Sequence, residues 1–150
     1  MCNTFVTPWL LEYSCKVSSE ISGKGILMIV VCVDNTPIML QSLKENAETA
    51  FPHADIQAFL SEESALDYAK KVGCDVLLCE INPPRLEGLF LAEEIKKLNS
   101  KVNIVFVTVC SECEHAREVM RLRPSGYLTK EATNAQILYE LQNLRYPIPS

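Results

Sequence analysis

From Ile26 onward the chain alternates short apolar runs with stretches whose apolar residues recur at helical spacing. That alternation predicts parallel strands joined by crossover helices that cover both faces of one sheet. Five strand-helix pairs are legible, with strands expected at Leu27 to Val33, Ile56 to Leu60, Asp75 to Glu80, Asn103 to Val109 and Gly126 to Thr129. The first helix follows Pro37, a residue tolerated in a first helical turn, and turns Leu40, Leu43, Ala47 and Ala50 inward. Ser61 is a natural N-cap for the second, whose stripe is Ala65, Leu66, Ala69 and Val72 and whose stop is Gly73. The third buries Leu91, Ala92, Ile95 and Leu98, Ser111 caps a polar fourth, and Thr133 or Asn134 opens a fifth with Ile137, Leu138, Leu141 and Leu144 on one face.

The segment before this alternation, residues 1–25, has neither period and ends in Ser22-Gly23-Lys24-Gly25, so it is expected to be a flexible extension. Residues 26–147 then make one domain and residues 148–150 a short tail. A chain of 150 residues that is 48% hydrophobic has enough apolar material for a single core, which excludes disorder. Against 14 basic residues stand 19 acidic ones, a net charge of −5 with no basic block, so direct binding to nucleic acid is not expected. The longest apolar run, Ile26 to Val33, has eight residues, and a spanning helix needs about 20. No membrane span is therefore expected. Seven cysteines cannot all pair, and Cys32, Cys74 and Cys79 fall in or beside strands, which suits a reducing cytoplasm.

In an open parallel sheet, ligands bind outside the carboxyl ends of the strands. The first strand delivers Asp34 and Asn35 there, the third Glu80 with Asn82 just beyond, the fourth Thr108 and the fifth Lys130. Two carboxylates, amides, a hydroxyl and an ammonium from four separate segments suit a divalent cation, a phosphoryl group or both.

The motifs that carry these residues are Val33-Asp34-Asn35-Thr36-Pro37, Leu77-Leu78-Cys79-Glu80-Ile81-Asn82-Pro83-Pro84 with Glu87-Gly88, Phe106-Val107-Thr108, and Gly126-Tyr127-Leu128-Thr129-Lys130. In order and spacing they resemble the receiver domain of two-component response regulators over about residues 28 to 145. The resemblance implies a flavodoxin-like fold, an α/β domain with a five-stranded parallel sheet in the order 2-1-3-4-5. It also implies a regulator rather than an enzyme, whose third strand ends in an aspartate phosphorylated by a histidine kinase. An acidic pair on the first strand would hold Mg²⁺, while Thr and Lys bind phosphoryl oxygens. Receivers of this type begin just before their first strand, so Met28 is the expected start and Met1 to Leu27 an extension without its own fold.

Two departures alter that expectation. Glu80 stands where the family has its phosphoaccepting aspartate, and Asn35 where a second carboxylate would touch the metal. With Asn35 neutral, Asp34, Glu80, Asn35 and Asn82 are expected to form at most a weak Mg²⁺ site. Glu80, one methylene longer than Asp, would reach into the metal or phosphoryl space and either pair with Lys130 or hydrogen-bond Thr108. The expected protein is therefore a degenerate receiver, independent of phosphorylation and acting by protein binding. The rivals are a receiver that still accepts phosphate and a thiol redox or metal sensor built on Cys110 and Cys113 of Cys110-Ser111-Glu112-Cys113, with His115 close by. Glu131 replaces the family's usual proline after the lysine, which is expected to leave Lys130 less rigidly placed.

Thr108 and Tyr127 occupy the family's switch positions, where a hydroxyl shift lets an aromatic ring swing inward and alters the face made by helix four, strand five and helix five. That face, bordered by Arg117, Glu118 and Arg121, is the expected surface for a homodimer or for a partner such as a histidine kinase or transcription regulator. The stretch Ala132 to Pro147 further resembles receiver ends of clostridial-type transcriptional regulators.

Overall fold

The computed structural model of the chain describes residues 27–81, 87–109 and 116–148. The expected extension, Asn82, Ser111, Cys110, Cys113 and His115 lie outside these residues. Among the described residues five strands, β1 (Ile29–Val33), β2 (Asp55–Phe59), β3 (Val76–Ile81), β4 (Asn103–Thr108) and β5 (Gly126–Thr129), alternate with five helices. The helices are α1 (Pro37–Ala50), α2 (Glu62–Val72), α3 (Glu87–Leu98), α4 (Ala116–Arg121) and α5 (Asn134–Gln142). All strand pairs are parallel and the sheet order is β2-β1-β3-β4-β5, the order that the resemblance implies.

Strand alternation sorts the core into two layers. Val31, Val33, Leu77, Cys79, Ile81, Ile104 and Phe106 meet α2, α3 and α4 on one face. Val30, Cys32, Val76, Leu78, Val105 and Val107 meet α1 and α5 on the other. β3 and β4 are buried at every position, which is why their sequences read as continuous apolar runs rather than alternating ones. Each such Val, Leu, Ile or Phe contributes about 1.5–3 kcal/mol relative to an exposed side chain.

Local signals fix the helix ends. Ser61 caps α2 by accepting the Ser64 N–H at 3.2 Å, Glu62 and Glu63 follow in the first turn, and Lys70 and Lys71 stand in the last. Gly73 ends that helix at φ +110°, a conformation that an L side chain rarely adopts. Thr133 and Gln136 form a reciprocal capping box on α5, with bonds of 3.1 and 2.8 Å. At α1, by contrast, Thr36 makes no side-chain cap and Pro37 starts the helix.

Some expected inward positions are not inward. Val72 is 48% exposed and Leu98 52% exposed, because each stands in the last turn of its helix, beyond the buried stripe. Ala50, Leu66, Leu138 and Leu144 are half-buried, whereas Asn46, Gly88 and Leu89 are buried instead. Asn46 is satisfied there by the Ser42 carbonyl at 2.9 Å and the Asn134 side chain at 3.1 Å, which ties α1 to α5. Gly88 is needed for close approach: a Cβ at that position would overlap the Glu80 carbonyl oxygen and lie 2.9 Å from Cys79 Sγ.

Candidate functional site

At the carboxyl ends of β1 and β3, two carboxylates meet the lysine that follows β5. Asp34 follows β1 in the same alternation as Val30 and Cys32, and Glu80 shares that parity with Val76 and Leu78 on β3. Both carboxylates therefore leave the sheet on the α1 and α5 side, and both are buried, at 0% and 2% exposure. Lys130, just after β5, reaches back to them. Its Nζ lies 2.5 Å from Glu80 Oε1 and 3.2 Å from Asp34 Oδ2. Of the two partners expected for Glu80, the structure has the lysine; the Thr108 hydroxyl, buried on the other parity, donates to the Ile81 carbonyl at 3.1 Å.

The second oxygen of Glu80 accepts the backbone N–H of Asn35 at 3.2 Å. Asp34 Oδ1 accepts the N–H of Thr36 at 2.8 Å, an Asx turn that shapes the start of α1. These backbone donors were not foreseen, because an N–H carries no residue-type signal. Asn35 itself is exposed, with its side-chain oxygen 3.5 Å from the Thr36 hydroxyl. The structure thus brings Asp34, Glu80 and Lys130 together, sets Thr108 beside them through Ile81, and places the Asn35 side chain outward. The Tyr127 ring is half-buried and packs on the layer formed with α2, α3 and α4. Lys130 is held at both ends: its N–H donates to the Thr108 carbonyl at 2.7 Å and its ammonium spans two buried carboxylates.

Burial is the largest influence on Asp34 and raises its carboxyl above the ordinary carboxylate range; the Thr36 amide opposes this, the charge of Glu80 adds to it, and Lys130 pulls back. For Lys130 burial again acts first and would lower the ammonium, but hydrogen bonds and charge from Glu80 and Asp34 together outweigh it and hold it above 10.5. A group raised on folding binds its proton more tightly in the native state. The Lys130 contribution is then complete below about 10.5 and lost as pH climbs through the raised value. Urea unfolding across that alkaline range is expected to show a fall in stability that is absent from Lys130→Met; parallel curves for the two proteins would refute it.

Around this polar centre the strand-end connections expose large apolar side chains: Ile38 after β1, Leu60 after β2, Phe90 on α3 after β3 and Val109 after β4. No helix among the described residues is long and apolar enough to cross a membrane.

The response regulator receiver domain family model matches residues 30–142. Protein MrkE of Klebsiella pneumoniae is 30% identical over 123 residues, covering 80% of this chain and 44% of that protein. The Fimbriae Z protein of Escherichia coli K12 is 22% identical over 116 residues, covering 75% of this chain and 54% of that protein. The chain thus spans about half the length of the curated relatives it matches. Among solved structures, the chemotaxis protein CheY4 of Vibrio cholerae is similar in fold, with a TM-score of 0.68 at 20% identity, covering 80% of this chain and all of that one. With its sheet order and the family match over residues 30–142 in agreement, the chain belongs to the response regulator receiver domains.

Proposed function

We propose that this receiver works without an aspartyl-phosphate cycle and signals by binding a protein partner, with Glu80 holding one conformational state. The observation that carries the reading is the double engagement of the Glu80 carboxylate, on Lys130 Nζ at 2.5 Å and on the Asn35 N–H at 3.2 Å. A side chain already bonded at both oxygens, and longer than aspartate, is a poor nucleophile toward a phosphodonor. Lys130, the cation that would receive phosphoryl oxygens, is already shared between Glu80 and Asp34.

The donor set does not fit a tight Mg²⁺ site. Asp34 and Glu80 are both committed to Lys130, the three groups sum to −1, Asn35 adds no charge, and the described residues contain no cluster of three His, Cys, Asp or Glu side chains able to hold a metal. Treatment with acetyl phosphate in Mg²⁺ followed by intact mass measurement tests the reading. The expected spectrum shows no phosphoryl gain; a phosphoryl group on Glu80 would make it a working acceptor and overturn the proposal.

A histidine kinase or a transcription regulator is the proposed class of partner. The surface made by α4, β5 and α5 is the proposed contact for such a partner or for a second copy. Exposed Arg117, Met120 and Arg121 support this assignment, since apolar contact and flanking charge are what a specific interface uses. Reversing Arg117 and Arg121 to Glu is expected to weaken any dimer in low-salt sedimentation, and an unchanged association constant would move the interface elsewhere.

A further inference from the structure

At the end of the sheet opposite the carboxylates, one buried amide makes contacts that the receiver chemistry does not use. Asn103, the first residue of β4, is 1% exposed. Its Nδ2 donates to the Tyr146 carbonyl at 3.0 Å and its Oδ1 accepts the Tyr146 N–H at 2.7 Å. The side chain thereby reproduces the paired acceptor and donor of a neighbouring strand. The same Oδ1 accepts the Ser125 hydroxyl at 2.8 Å, and Ser125 Oγ accepts the Arg145 N–H at 2.9 Å. Finally, Lys96 near the end of α3 sets its Nζ 5.1 Å above the centre of the Tyr146 ring, with no hydrogen-bond acceptor among the described residues.

Three elements thus converge on two residues that follow α5. Asn103 belongs to β4, Ser125 immediately precedes β5, and Lys96 lies in the last turn of α3. We propose that residues 143–148 form a latch that clasps the β5–α5 unit to β4 and α3 at its base, and that the latch opens locally while the sheet stays folded. Its contacts are few and lie at the domain edge, where openings are small and cheap, whereas β4, which it grips, is buried at every position. Release would free the Tyr146 ring and the course of the chain beyond α5 without disturbing Asp34, Glu80 or Lys130. The proposal stands whether or not Glu80 accepts phosphate, since it shares no residue with that site.

Hydrogen exchange of the whole chain, resolved to single amides, tests it. In the wild type the Arg145 and Tyr146 amides are expected to be protected, but less than those of β3 and β4. Asn103→Ala is expected to speed Tyr146 exchange about tenfold or more. Ser125→Ala, which keeps the Asn103–Tyr146 pair, is expected to speed mainly Arg145, and it serves alone if Asn103→Ala does not fold. Either of two results would overturn the latch: Arg145 and Tyr146 amides already exchanging like an open peptide in the wild type, or variants that speed β3 and β4 by the same factor, which would make opening global.

Discussion

Glu80→Asp combined with Asn35→Asp is expected to gain both Mg²⁺ binding and measurable phosphorylation by acetyl phosphate, where the wild type shows neither and Glu80→Asp alone recovers little. Two separate defects have to be repaired. Shortening the side chain withdraws the carboxylate from Lys130, now 2.5 Å away, and restores an oxygen at the position from which in-line attack is possible. The second substitution takes the formal charge of the group from −1 to −2, which a hard, reluctantly dehydrated cation requires, and the side chain at 35 is expected to turn inward from its exposed position to meet the ion. A nucleophile misplaced by about 1 Å already loses about 100-fold in rate, so repairing charge without geometry is expected to give metal binding but no transfer. Calorimetric titration with Mg²⁺ and intact mass spectrometry read the two outcomes separately. A double variant with no better Mg²⁺ affinity than the wild type would refute this account of the pocket.

Lys130→Met is expected to be the most destabilising single change at the site. It leaves Asp34 and Glu80 facing each other, both buried, with no cation between them. Breaking one side of a buried ion pair costs about 3–5 kcal/mol, because the stranded charge keeps its desolvation penalty. Adding Glu80→Gln should return much of that loss, since one charge is then removed while an oxygen still accepts the Asn35 N–H. Urea unfolding of the two single variants and the double forms a cycle whose coupling energy isolates the pair. Additive losses would mean that the Glu80–Lys130 contact contributes nothing to holding the fold.

The sheet was legible from the sequence because its central strands are buried on both faces. No polar residue interrupts Val76 to Cys79 or Ile104 to Val107, so the apolar runs alone located both strands. Helix faces were legible in their middles and not in their last turns, as Val72 and Leu98 show, because a repeat of 3.6 residues does not say where the underlying sheet stops. Within the candidate site, residue types announced Asp34, Glu80 and Lys130, and side-chain length pointed to lysine or threonine as the partner of Glu80. The Asn35 and Thr36 amides were silent, as was the outward course of the Asn35 side chain, since local backbone geometry decides both. Asn103 was hidden for a related reason. It read as the first residue of a strand, and nothing periodic connects it to Tyr146, 43 positions later.

Cys32, Cys74 and Cys79 lie in the interior with free thiols, and burial pushes the Cys32 thiol up to about 12 and raises those of Cys74 and Cys79 as well. Since the thiolate is the reactive form, these sulfurs are inert to alkylating reagents for as long as the sheet is closed. They sit on different layers, Cys32 against α1 and α5, Cys74 and Cys79 against α2 and α3. The native protein therefore carries its own clock for breathing of the interior: the order in which the three are trapped by a fast alkylating reagent tells which side of the sheet parts first, with no label introduced.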